Sequence, residues 1–386
     1  MLIYFYHSLI VDLIIFQAVV LVGILSNTLL LHRARRHTPP DRYPFVSILV
    51  PGRNEERNIK RCLFSLLAQD YPSFEVLVID DQSRDGTRAI LEELAELQPR
   101  LKIMTGSPRP EGYVGKNWAC VQLAQAARGE LLLFTDADTV HHPQTLCALV
   151  TSLLGERADL LTGFPRQEMK TWGERLLVPF FSWASFCFVP LWPAYRLRMP
   201  VLSNAVGQIM LFRRESYQAI GGHEKVGSSI VDDLTLARRI KAAGLRWRVV
   251  HLSDLVTCRM YSGSRDAFDG FTRNYFAAFG FHLMIYLFVF SWLMVMFWEP
   301  LIVLGLLVNQ MAPTAHLLEL GICISLSLFL WVIPYLEMGL NPGLGFLYPL
   351  TILANGVVAC WSLYLSLAGR LSWKERSLDR PKWKWF

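Results

Sequence analysis

The chain consists of long apolar runs near both ends and a central stretch in which apolar and polar positions alternate over short distances. Leu9–Leu31 carries one ionisable side chain, Asp12, and is long enough to cross a bilayer. Residues 280–369 contain three acids and neither Lys nor Arg, and they divide into apolar tracts near 282–309, 317–338 and 344–368. The pattern predicts a membrane segment within residues 1–40, a soluble domain over residues 41–279, a membrane region over 280–369 and a tail over 370–386.

Within residues 41–279, short β-branched runs alternate with segments whose apolar residues recur at helical spacing. The predicted strands are Phe45–Val50, Phe74–Ile79, Leu101–Met104 and Leu131–Phe134. This alternation predicts an α/β fold with a mostly parallel central sheet and helices on both faces. Ligands of such sheets bind beyond the carboxyl ends of the strands, so residues that directly follow a strand are candidates for a site.

Acidic residues follow three of the predicted strands: Glu55, Asp81, and the pair Asp136 and Asp138. Residues i and i+2 of a strand point the same way, so a short bend would aim both carboxylates of the pair at one point, where they need a cation or a proton. A single D-x-D sequence is usually a solvated turn, but acids at three strand ends favour one shared site. Mg²⁺ and Mn²⁺ prefer such oxygen ligands. Because the sequence has no glycine-rich phosphate loop, a bound diphosphate would be neutralised by the metal and by Lys or Arg.

Composition and charge refine this picture. Of the 386 residues, 53% are hydrophobic and 18% are charged, which excludes both an ordinary soluble enzyme and a bundle of membrane helices throughout. The basic run His32–His37 follows the first apolar segment and predicts that the soluble domain is cytosolic. The 7 cysteines are scattered without C-x-x-C pairs, as expected in a reducing compartment. The net charge of +6 suits a protein lying against anionic lipid and requires no nucleic-acid partner.

Four sequence motifs occur in the order found in family 2 glycosyltransferases, which the chain resembles over roughly residues 44–279. They are Val46–Glu56, Val78–Thr87, Thr135–Asp138 and Val231–Asp233. Three further segments resemble most the membrane enzymes that glycosylate carotenoids or hopanoid-type lipids: Asn204–Arg214, Gly221–His223 and Cys258–Tyr261. The resemblance implies a GT-A fold, a nucleotide-diphosphate sugar donor and inversion at the anomeric carbon.

The resemblance also assigns candidate roles. Asp136 and Asp138 would hold the metal, with Asp138 as the more direct ligand. Asp233, one of two acids at a predicted helix start, is the candidate base for the acceptor hydroxyl, and the alternative is a plain helix cap. The candidates for donor binding are Pro51, Arg53, Glu55, Asp81, Lys116, Asp136 and Arg273, with Asp81 at the nucleoside and Glu55 at the base or ribose. The candidates for the acceptor side are Asp232, His223 and Gln208.

Two of these assignments have open alternatives, and one motif is missing. Lys116 also fits a surface lysine, and Arg273 also fits an interfacial arginine facing lipid headgroups. Gly270–Phe276 takes the place of the Q-x-x-R-W motif of processive members of the family, which favours a single transfer.

The aromatic segment near residues 172–200 is interpreted as interfacial, because a crossing there would separate Asp233 from Asp136 and Asp138. Three crossings after residue 279 would leave the basic tail outside, whereas basic segments stay inside. We therefore expect a hairpin or re-entrant pair at Glu299–Pro300, which keeps the tail in the cytosol.

These inferences converge on a multi-pass protein of the cell membrane with a cytosolic catalytic domain. The predicted function is an inverting, non-processive glycosyltransferase that moves one hexose from a nucleotide-diphosphate sugar, such as UDP-glucose, to a membrane lipid hydroxyl or carboxyl. One alternative is a polyisoprenyl-phosphate sugar synthase, whose phosphate acceptor would need a further basic cluster, for which Arg196 and Arg198 are the candidates. The alternative from another class is a membrane transporter or scaffold with an inactive nucleotide-binding domain, although a transporter is expected to carry ionisable pairs within its spans.

Overall fold

The strand–helix alternation of the soluble domain produces one seven-stranded sheet. In this computed structural model, the described residues are 2–34, 40, 42–309, 317–373, 376–377 and 382–385, with backbone alone described for 2–8, 372–373 and 376–377. The strands are β1 (Val46–Gly52), β2 (Phe74–Asp80), β3 (Leu101–Thr105), β4 (Leu131–Thr135), β5 (Thr139–His141), β6 (Leu160–Phe164), β7 (Arg166–Gln167), β8 (Ile209–Arg213), β9 (Trp247–His251), β10 (Val256–Cys258), β11 (Ser372–Trp373) and β12 (Arg376–Ser377).

The large sheet has the order β3-β2-β1-β4-β8-β6-β9. Its neighbouring strands pair in parallel except at β8, which runs antiparallel to both β4 and β6. The predicted mostly parallel sheet is therefore confirmed, and the four predicted strands are β1 to β4. A small sheet, β5-β10-β7, lies beside it, and β11 pairs with β12.

The helices flank the sheet and then form a bundle of their own. They are α1 (Leu2–Leu30), α2 (Ile59–Leu67), α3 (Thr87–Leu97), α4 (Gly115–Ala126), α5 (Thr145–Gly155), α6 (Trp172–Leu177), α7 (Pro179–Phe188), α8 (Leu191–Arg196), α9 (Arg214–Ala219), α10 (Asp232–Ala242), α11 (Ser264–Ala278), α12 (Leu283–Val308), α13 (Leu317–Glu337) and α14 (Tyr348–Ala368). Short 3₁₀ helices cover Pro200–Leu202, Gly222–Val226 and Pro342–Leu347.

The two faces of the sheet belong to different cores because successive strand residues point to opposite sides. Ile48 and Val50 of β1 face a core formed with α2, α3 and α5. Leu49, between them, faces a second core that continues without a break into the bundle as far as Trp183 and Trp331. Those two indole rings stack with centroids 4.0 Å apart. The soluble domain and the apolar helices thus share one packed interior.

Four segments of the described chain are long and apolar enough to cross a membrane: Leu9–Leu30, α12, α13 and Pro342–Ala368. The aromatic segment near 172–200 is not among them, since it folds into α6, α7, α8 and a 3₁₀ turn, none longer than 10 residues. Part of the predicted basic run, residues 35–37, and part of the basic tail, residues 374–375, 378–381 and 386, lie outside the described residues.

The expected break at Glu299–Pro300 does not occur, because α12 continues through Pro300 as one helix. A proline in a helix lacks the N–H that would bond the carbonyl four residues earlier, here that of Met296. The Gln17 side-chain amide of α1 donates to this carbonyl at 3.4 Å. Pro334 is accommodated within α13 in the same way. The Leu330 carbonyl, four residues earlier, accepts the Trp183 indole N–H at 2.9 Å. Neighbouring side chains therefore supply the missing bonds, and the helix does not need to break.

The helix bundle has a near end, beside the soluble domain, and a far end. α14 runs antiparallel to α12, since the Trp298 indole N–H donates to the Pro349 carbonyl at 3.0 Å and the Tyr286 hydroxyl to the Ala359 carbonyl at 2.8 Å. The first turn of α14 therefore lies about 22 Å along α12 from Leu283, at about 1.5 Å per residue, well inside the bundle.

The tail returns to the near end of the bundle. The backbone N–H of Leu283 donates to the carbonyl of Lys384 at 2.8 Å, and that of Lys384 donates to the carbonyl of Phe281 at 2.9 Å. The described end of the chain therefore lies at the start of α12, on the side of the soluble domain.

Candidate active site

A cavity of about 850 Å³ lies at the carboxyl edge of the sheet and reaches the bundle. Residues that follow β1, β2 and β4 line one end, which we call the sheet end. Residues of α7 and α11 line the other, which we call the membrane end. Of the predicted site residues, the following line it: Pro51, Arg53, Glu55, Asp81, Lys116, Asp136, Asp138, Gln208, Asp232, Asp233 and Arg273. The cavity therefore brings together acids from three strand ends and one helix start.

The first acidic pair, Asp136 and Asp138, sits in the tight turn between β4 and β5. Lys116, in the first turn of α4, forms an ion pair with Asp136 at 2.7 Å between Nζ and Oδ1. Burial, followed by the neighbouring charges of Asp136 and Glu55, raises the pKa of Asp138 to about 7. The Cys258 thiol donates to Asp138 Oδ1 at 3.5 Å. The pair thus has one neutralised member and one whose negative charge is poorly stabilised.

The second acidic pair, Asp232 and Asp233, begins α10, where the helix dipole favours negative charge. Asp233 Oδ2 accepts the backbone N–H of Gly207 at 3.0 Å, and its Oδ1 accepts that of Leu234 at 2.7 Å. A Cβ atom at Gly207 would lie 3.0 Å from the same Oδ2, so glycine permits this approach. Burial and the charge of Asp232 raise the pKa of Asp233 to about 6.

Asp232 differs from its neighbour because two cationic or proton-donating groups face it. Burial would raise its pKa, but Lys116 and then His223 outweigh that effect and lower it. The contact with His223 measures 3.5 Å between Nε2 and Oδ2. Lys116 in turn has a pKa well above its ordinary value, because the carboxylates of Asp136 and Asp232 outweigh the effect of burial. One lysine therefore serves both acidic pairs.

His223 does not lie where we expected, because it is fully buried and does not line the cavity. The ring packs against Phe134 with centroids 4.7 Å apart, and its Nδ1 lies 2.8 Å from the Tyr217 hydroxyl. Gly222 makes this possible: its φ is +48°, and a Cβ there would lie 2.4 Å from the Tyr217 ring. His223 thus contacts Asp232 from the protein interior and is out of reach of a ligand in the cavity.

The residues of the sheet end are held largely by backbone contacts. Arg53 is buried, and its guanidinium donates to the Asp81 carbonyl at 2.6 Å and the Gln82 carbonyl at 3.2 Å, which ties together the loops after β1 and β2. The backbone N–H of Glu55 donates to Thr87 Oγ1 at 2.8 Å. Both loops are therefore fixed at the edge where a nucleotide would lie.

Asn117 is a structural residue of the site that the sequence analysis did not single out. It is fully buried, and its side-chain amide donates to the carbonyls of Val226, Gly227 and Ser229 at 2.9 to 3.0 Å. These bonds anchor the loop that leads into α10. The sequence signal for Asn117 was its position next to Lys116 at a helix start. Its bonding partners could not be predicted, because they lie more than 100 residues further along the chain.

The membrane end combines apolar side chains with hydroxyl and amide groups. Phe181, Ser182 and Ser185 of α7 and Phe271 and Asn274 of α11 line this end, where the rings of Phe181 and Phe271 stack with centroids 5.5 Å apart. Arg273 lies on the same helix, and burial lowers its pKa although Tyr261 and nearby acids act in the opposite direction. Arg273 also lines the cavity, and its role in donor binding stays a prediction.

Gln208 and Gln167 also line the cavity. The Gln208 side-chain carbonyl accepts the Gln167 amide at 3.0 Å, and its backbone carbonyl accepts the Thr135 hydroxyl at 2.9 Å. Gln208 is thus held in the wall between the two acidic pairs. The sequence analysis had placed it on the acceptor side, and its role there stays a prediction.

The donor set of the first pair fits a hard divalent cation that also binds a ligand. Asp138 has acids as its main charged neighbours, and the ammonium group of Lys116 already lies against Asp136. Across the part of the chain that the structure describes, no three His, Cys, Asp or Glu side chains converge to form a complete metal site. Mg²⁺ in nucleotide sites is commonly held by one or two carboxylates and by the phosphates of the substrate, which is the arrangement these two acids permit.

Fold and cavity define the class: a GT-A-type nucleotide-binding domain joined to apolar helices that could span a membrane. Residues 47–221 match the family model described as Glycosyl transferase family 2. The chain therefore carries a family 2 glycosyltransferase domain, as the sequence motifs indicated.

Two curated relatives and one solved structure are similar to the chain. Beta-monoglucosyldiacylglycerol synthase of Trichormus variabilis is 28% identical over 204 residues, which cover 51% of this chain and 41% of the relative. The 4,4'-diaponeurosporenoate glycosyltransferase of Staphylococcus haemolyticus is 24% identical over 243 residues, 59% of this chain and 60% of the relative. A mannosyltransferase from Pyrobaculum calidifontis, solved with GDP-Man and Mn²⁺, has a TM-score of 0.52 at 19% identity, over 93% of this chain and 99% of its own, and supports the fold. The chain spans about two fifths to three fifths of the length of the curated relatives.

Proposed function

We propose that this protein is an inverting, non-processive glycosyltransferase that moves one hexose from a nucleotide-diphosphate sugar to a lipid of the membrane in which it lies. The observation that carries the proposal is that one cavity has acids at its sheet end and residues of α7 and α11 at its membrane end. A donor at the sheet end and a lipid hydroxyl or carboxyl from the membrane end would meet beside Asp233. The two curated relatives, named for a glycolipid synthase and a carotenoid glycosyltransferase, support this acceptor class.

The donor would occupy the sheet end. Asp81 and Glu55 would bind the nucleoside, within loops held by Arg53 and Pro51. Lys116 would neutralise the diphosphate from the sheet end, and Arg273 of α11 would contact it from the membrane end. Asp136 and Asp138 would hold Mg²⁺ or Mn²⁺, which stabilises the negative charge that develops on the departing nucleotide. The Mn²⁺ of the Pyrobaculum mannosyltransferase supports the choice of metal.

Asp233 would act as the general base. Its carboxylate takes the proton of the acceptor hydroxyl as the acceptor oxygen forms a bond to the anomeric carbon, and the bond from that carbon to the diphosphate oxygen breaks on the opposite face. The nucleoside diphosphate leaves with the bonding electron pair, and the configuration inverts. A pKa near 6 supports this role, because a base with a pKa near the working pH is both ionised and able to hold a proton.

A polyisoprenyl-phosphate acceptor receives less support. Arg196 and Arg198, on which that alternative depended, line a separate small cavity and not the one that holds the acidic pairs. A neutral or carboxylate acceptor requires no such cluster. We propose UDP-glucose as the first donor to test, with a carotenoid or hopanoid-type lipid as acceptor.

We further propose that α1, α12 and α13 cross the membrane and that Pro342–Ala368 is re-entrant. The start of α14 packs inside the bundle, where Tyr348 lies against Phe297 with ring centroids 5.5 Å apart, and the helix then leads back to the near end. Backbone at membrane depth is tolerated where protein surrounds it. Three crossings leave the catalytic domain and the tail on one side, the cytosol of a cell-membrane protein, which agrees with the basic tail.

The function is tested with membranes from cells that express the protein. Membranes are incubated with radiolabelled UDP-glucose, UDP-galactose, UDP-N-acetylglucosamine or GDP-mannose, and the lipids are extracted and separated. We expect label in a single lipid class, with one hexose for each acceptor, and at least about a hundredfold less label with Asp233→Asn. Label in soluble polymer, or in no lipid from any donor, would refute the proposal.

The topology is tested with a protease site inserted at Ser107–Gly112 and an epitope tag after Phe386. In intact cells, neither should be accessible from outside, and both should become accessible after permeabilisation. A tag that is accessible in intact cells, with the inserted site protected, would mean that α14 crosses the membrane.

A further inference from the structure

A second, smaller cavity of about 150 Å³ lies between α8, the end of α10 and β9. Five of its lining residues are cationic: Arg196, Arg198, Lys241, Arg246 and Arg248. Two nearby acids are already engaged. Glu156 pairs with Arg248 at 3.2 Å, and Asp159 accepts the Arg246 backbone N–H and the Ser216 hydroxyl. The cavity therefore carries an excess of positive charge.

The arginines of α8 and the segment after it are available to a ligand. Arg196 and Arg198 are both exposed, and across the described chain neither forms an ion pair with a carboxylate. Arg196 stacks over the Trp192 ring at 4.4 Å, and the Arg198 guanidinium lies over Gly244, where a Cβ would be 3.5 Å away. Both guanidinium groups are thus held in position without being neutralised.

The floor of this cavity is a buried lysine. The Lys241 ammonium donates to the Ala194 carbonyl and lies 5.9 Å above the Trp247 ring. Burial and the charge of Arg248 lower its pKa, as expected where several cations share one site. A bound anion would relieve this repulsion.

The position of the cavity relative to the apolar helices indicates the source of that anion. Asn27, about one turn before the end of α1, donates to the carbonyls of Phe186 and Val189 and accepts the N–H of Leu191. These bonds hold the start of α8 level with the end of the membrane segment. Trp192 is 55% exposed beside it, and Leu197, Met199 and Val201 are also exposed. An aromatic ring followed by arginines at this level is typical of the boundary between hydrocarbon and headgroups.

We propose that this cavity binds the phosphate headgroup of an anionic phospholipid of the same membrane, with its acyl chains along Trp192 and the exposed residues that follow α8. Guanidinium groups bind phosphate through paired N–H donors, which suits Arg196 and Arg198. The proposal rests on the proposed membrane embedding but not on the transfer reaction. It is distinct from the acceptor site, because α10 separates Lys241 from Asp233 by about 12 Å along its axis, at about 1.5 Å per residue.

The full-length protein in mixed detergent micelles tests the proposal. Micelles contain phosphatidylglycerol or phosphatidylcholine at matched mole fractions, and native mass spectrometry counts the retained lipids. We expect the parent to retain phosphatidylglycerol at a lower mole fraction of lipid than it needs to retain phosphatidylcholine. Arg196→Gln with Arg198→Gln should weaken that retention roughly thirtyfold, which corresponds to about 1 kcal/mol for each cation, and should leave phosphatidylcholine unaffected.

Matched variants separate this site from general surface charge. Arg88→Gln with Arg100→Gln removes two cations of the soluble domain that do not line this cavity, and it should leave retention at the parental level. Arg196→Lys with Arg198→Lys keeps both charges and should restore much of the retention that the glutamine variant loses. Three results would each overturn the proposal. The first is parental retention by the Arg196 and Arg198 glutamine variant, and the second is a loss in the control as large as in that variant. The third is complete displacement of the lipid by millimolar inorganic phosphate. Because lipid retention is measured without a sugar donor, this result does not depend on whether the protein transfers hexose.

Discussion

The two acidic pairs of the large cavity have the same composition but different surroundings. At the end of β4, Lys116 neutralises Asp136, and the remaining neighbours of Asp138 are acids that raise its pKa to about 7. At the start of α10, Lys116 and His223 lower the pKa of Asp232, whereas Asp233 accepts two backbone N–H groups and has a pKa of about 6. Each pair therefore has one member stabilised as an anion and one that is not.

The difference indicates two kinds of chemistry. Asp136 and Glu55 disfavour the negative charge of Asp138, and in the proposed function a divalent cation would relieve it. Burial and Asp232 disfavour the negative charge of Asp233, and in the proposed function a proton from the acceptor would relieve it. Carboxylates whose pKa values are pushed apart by their environment commonly take different roles in this way. Lys116 links the pairs, so a change there should affect both.

Removal of the metal should have the largest effect, because it disables the first pair completely. With excess chelator, lipid transfer should fall to background, and Mn²⁺ or Mg²⁺ should restore it. Asp138→Ala should lose both transfer and donor binding, measured by lipid labelling and by calorimetry with the nucleotide sugar. Full activity in excess chelator would show that the first pair does not serve a metal.

Replacement of the base should be nearly as severe but should leave binding intact. Asp233→Asn keeps the size of the side chain and removes proton acceptance, so turnover should fall by about 10²- to 10⁴-fold, or roughly 3–5 kcal/mol of barrier. The donor dissociation constant should change little.

Asp232→Asn is the matched control for this variant and should be milder, since Asp232 contacts His223 and its lowered pKa makes it a weaker base than Asp233. Near-parental turnover in Asp233→Asn together with an inactive Asp232→Asn would assign the base to the other carboxylate. Normal turnover in both would leave the pair as a helix start without a catalytic role.

The loss of Lys116 should have an intermediate effect with opposite signs on two measurements. Lys116→Gln removes a cation that assists the departing diphosphate, so kcat should fall roughly ten- to a hundredfold, less than for the loss of the base. The same change frees Asp136 from its ion pair, so half-maximal activity should require less Mn²⁺ than in the parent. A variant that needs more Mn²⁺ would contradict a lysine that competes with the metal for Asp136.

The sequence was sufficient to predict the sheet and the acids at its edge. β1 to β4 are encoded by short β-branched runs bounded by turns, and the acids that follow them converge because parallel strands end at one edge. Asp136 and Asp233 could be selected as candidates because their local motifs are specific, and both line the cavity. These features depend on neighbours in the sequence or on general properties of parallel sheets.

The remaining features depend on packing between distant segments and could not be predicted. His223 is withdrawn from the cavity because Tyr217 and Phe134 enclose it, a contact that Gly222 permits. Pro300 does not break α12 because Gln17, from the other end of the chain, bonds the freed carbonyl. α14 is apolar enough to span a membrane, so hydropathy alone predicts a crossing. The position of its first turn inside the bundle follows from its contacts with α12, which hydropathy does not predict.

The smallest expected effect is a shift in the pH dependence of activity. Measuring it compares Asp232 and Asp233, the two members of the second pair, directly. Asp233 must be ionised to accept a proton, and its pKa of about 6 lies above the ordinary value for Asp. The activity of the parent, measured as kcat/KM, should therefore be level above about pH 6 and fall about tenfold for each pH unit below it. Asp232→Asn removes the neighbouring negative charge that helps to raise this pKa, so the acid limb should move to lower pH. Profiles of the parent and of Asp232→Asn measured with saturating Mn²⁺ provide the test. An acid limb that does not move in Asp232→Asn would mean that the limb belongs to another group, such as Asp138, and that the base is not coupled to its neighbour.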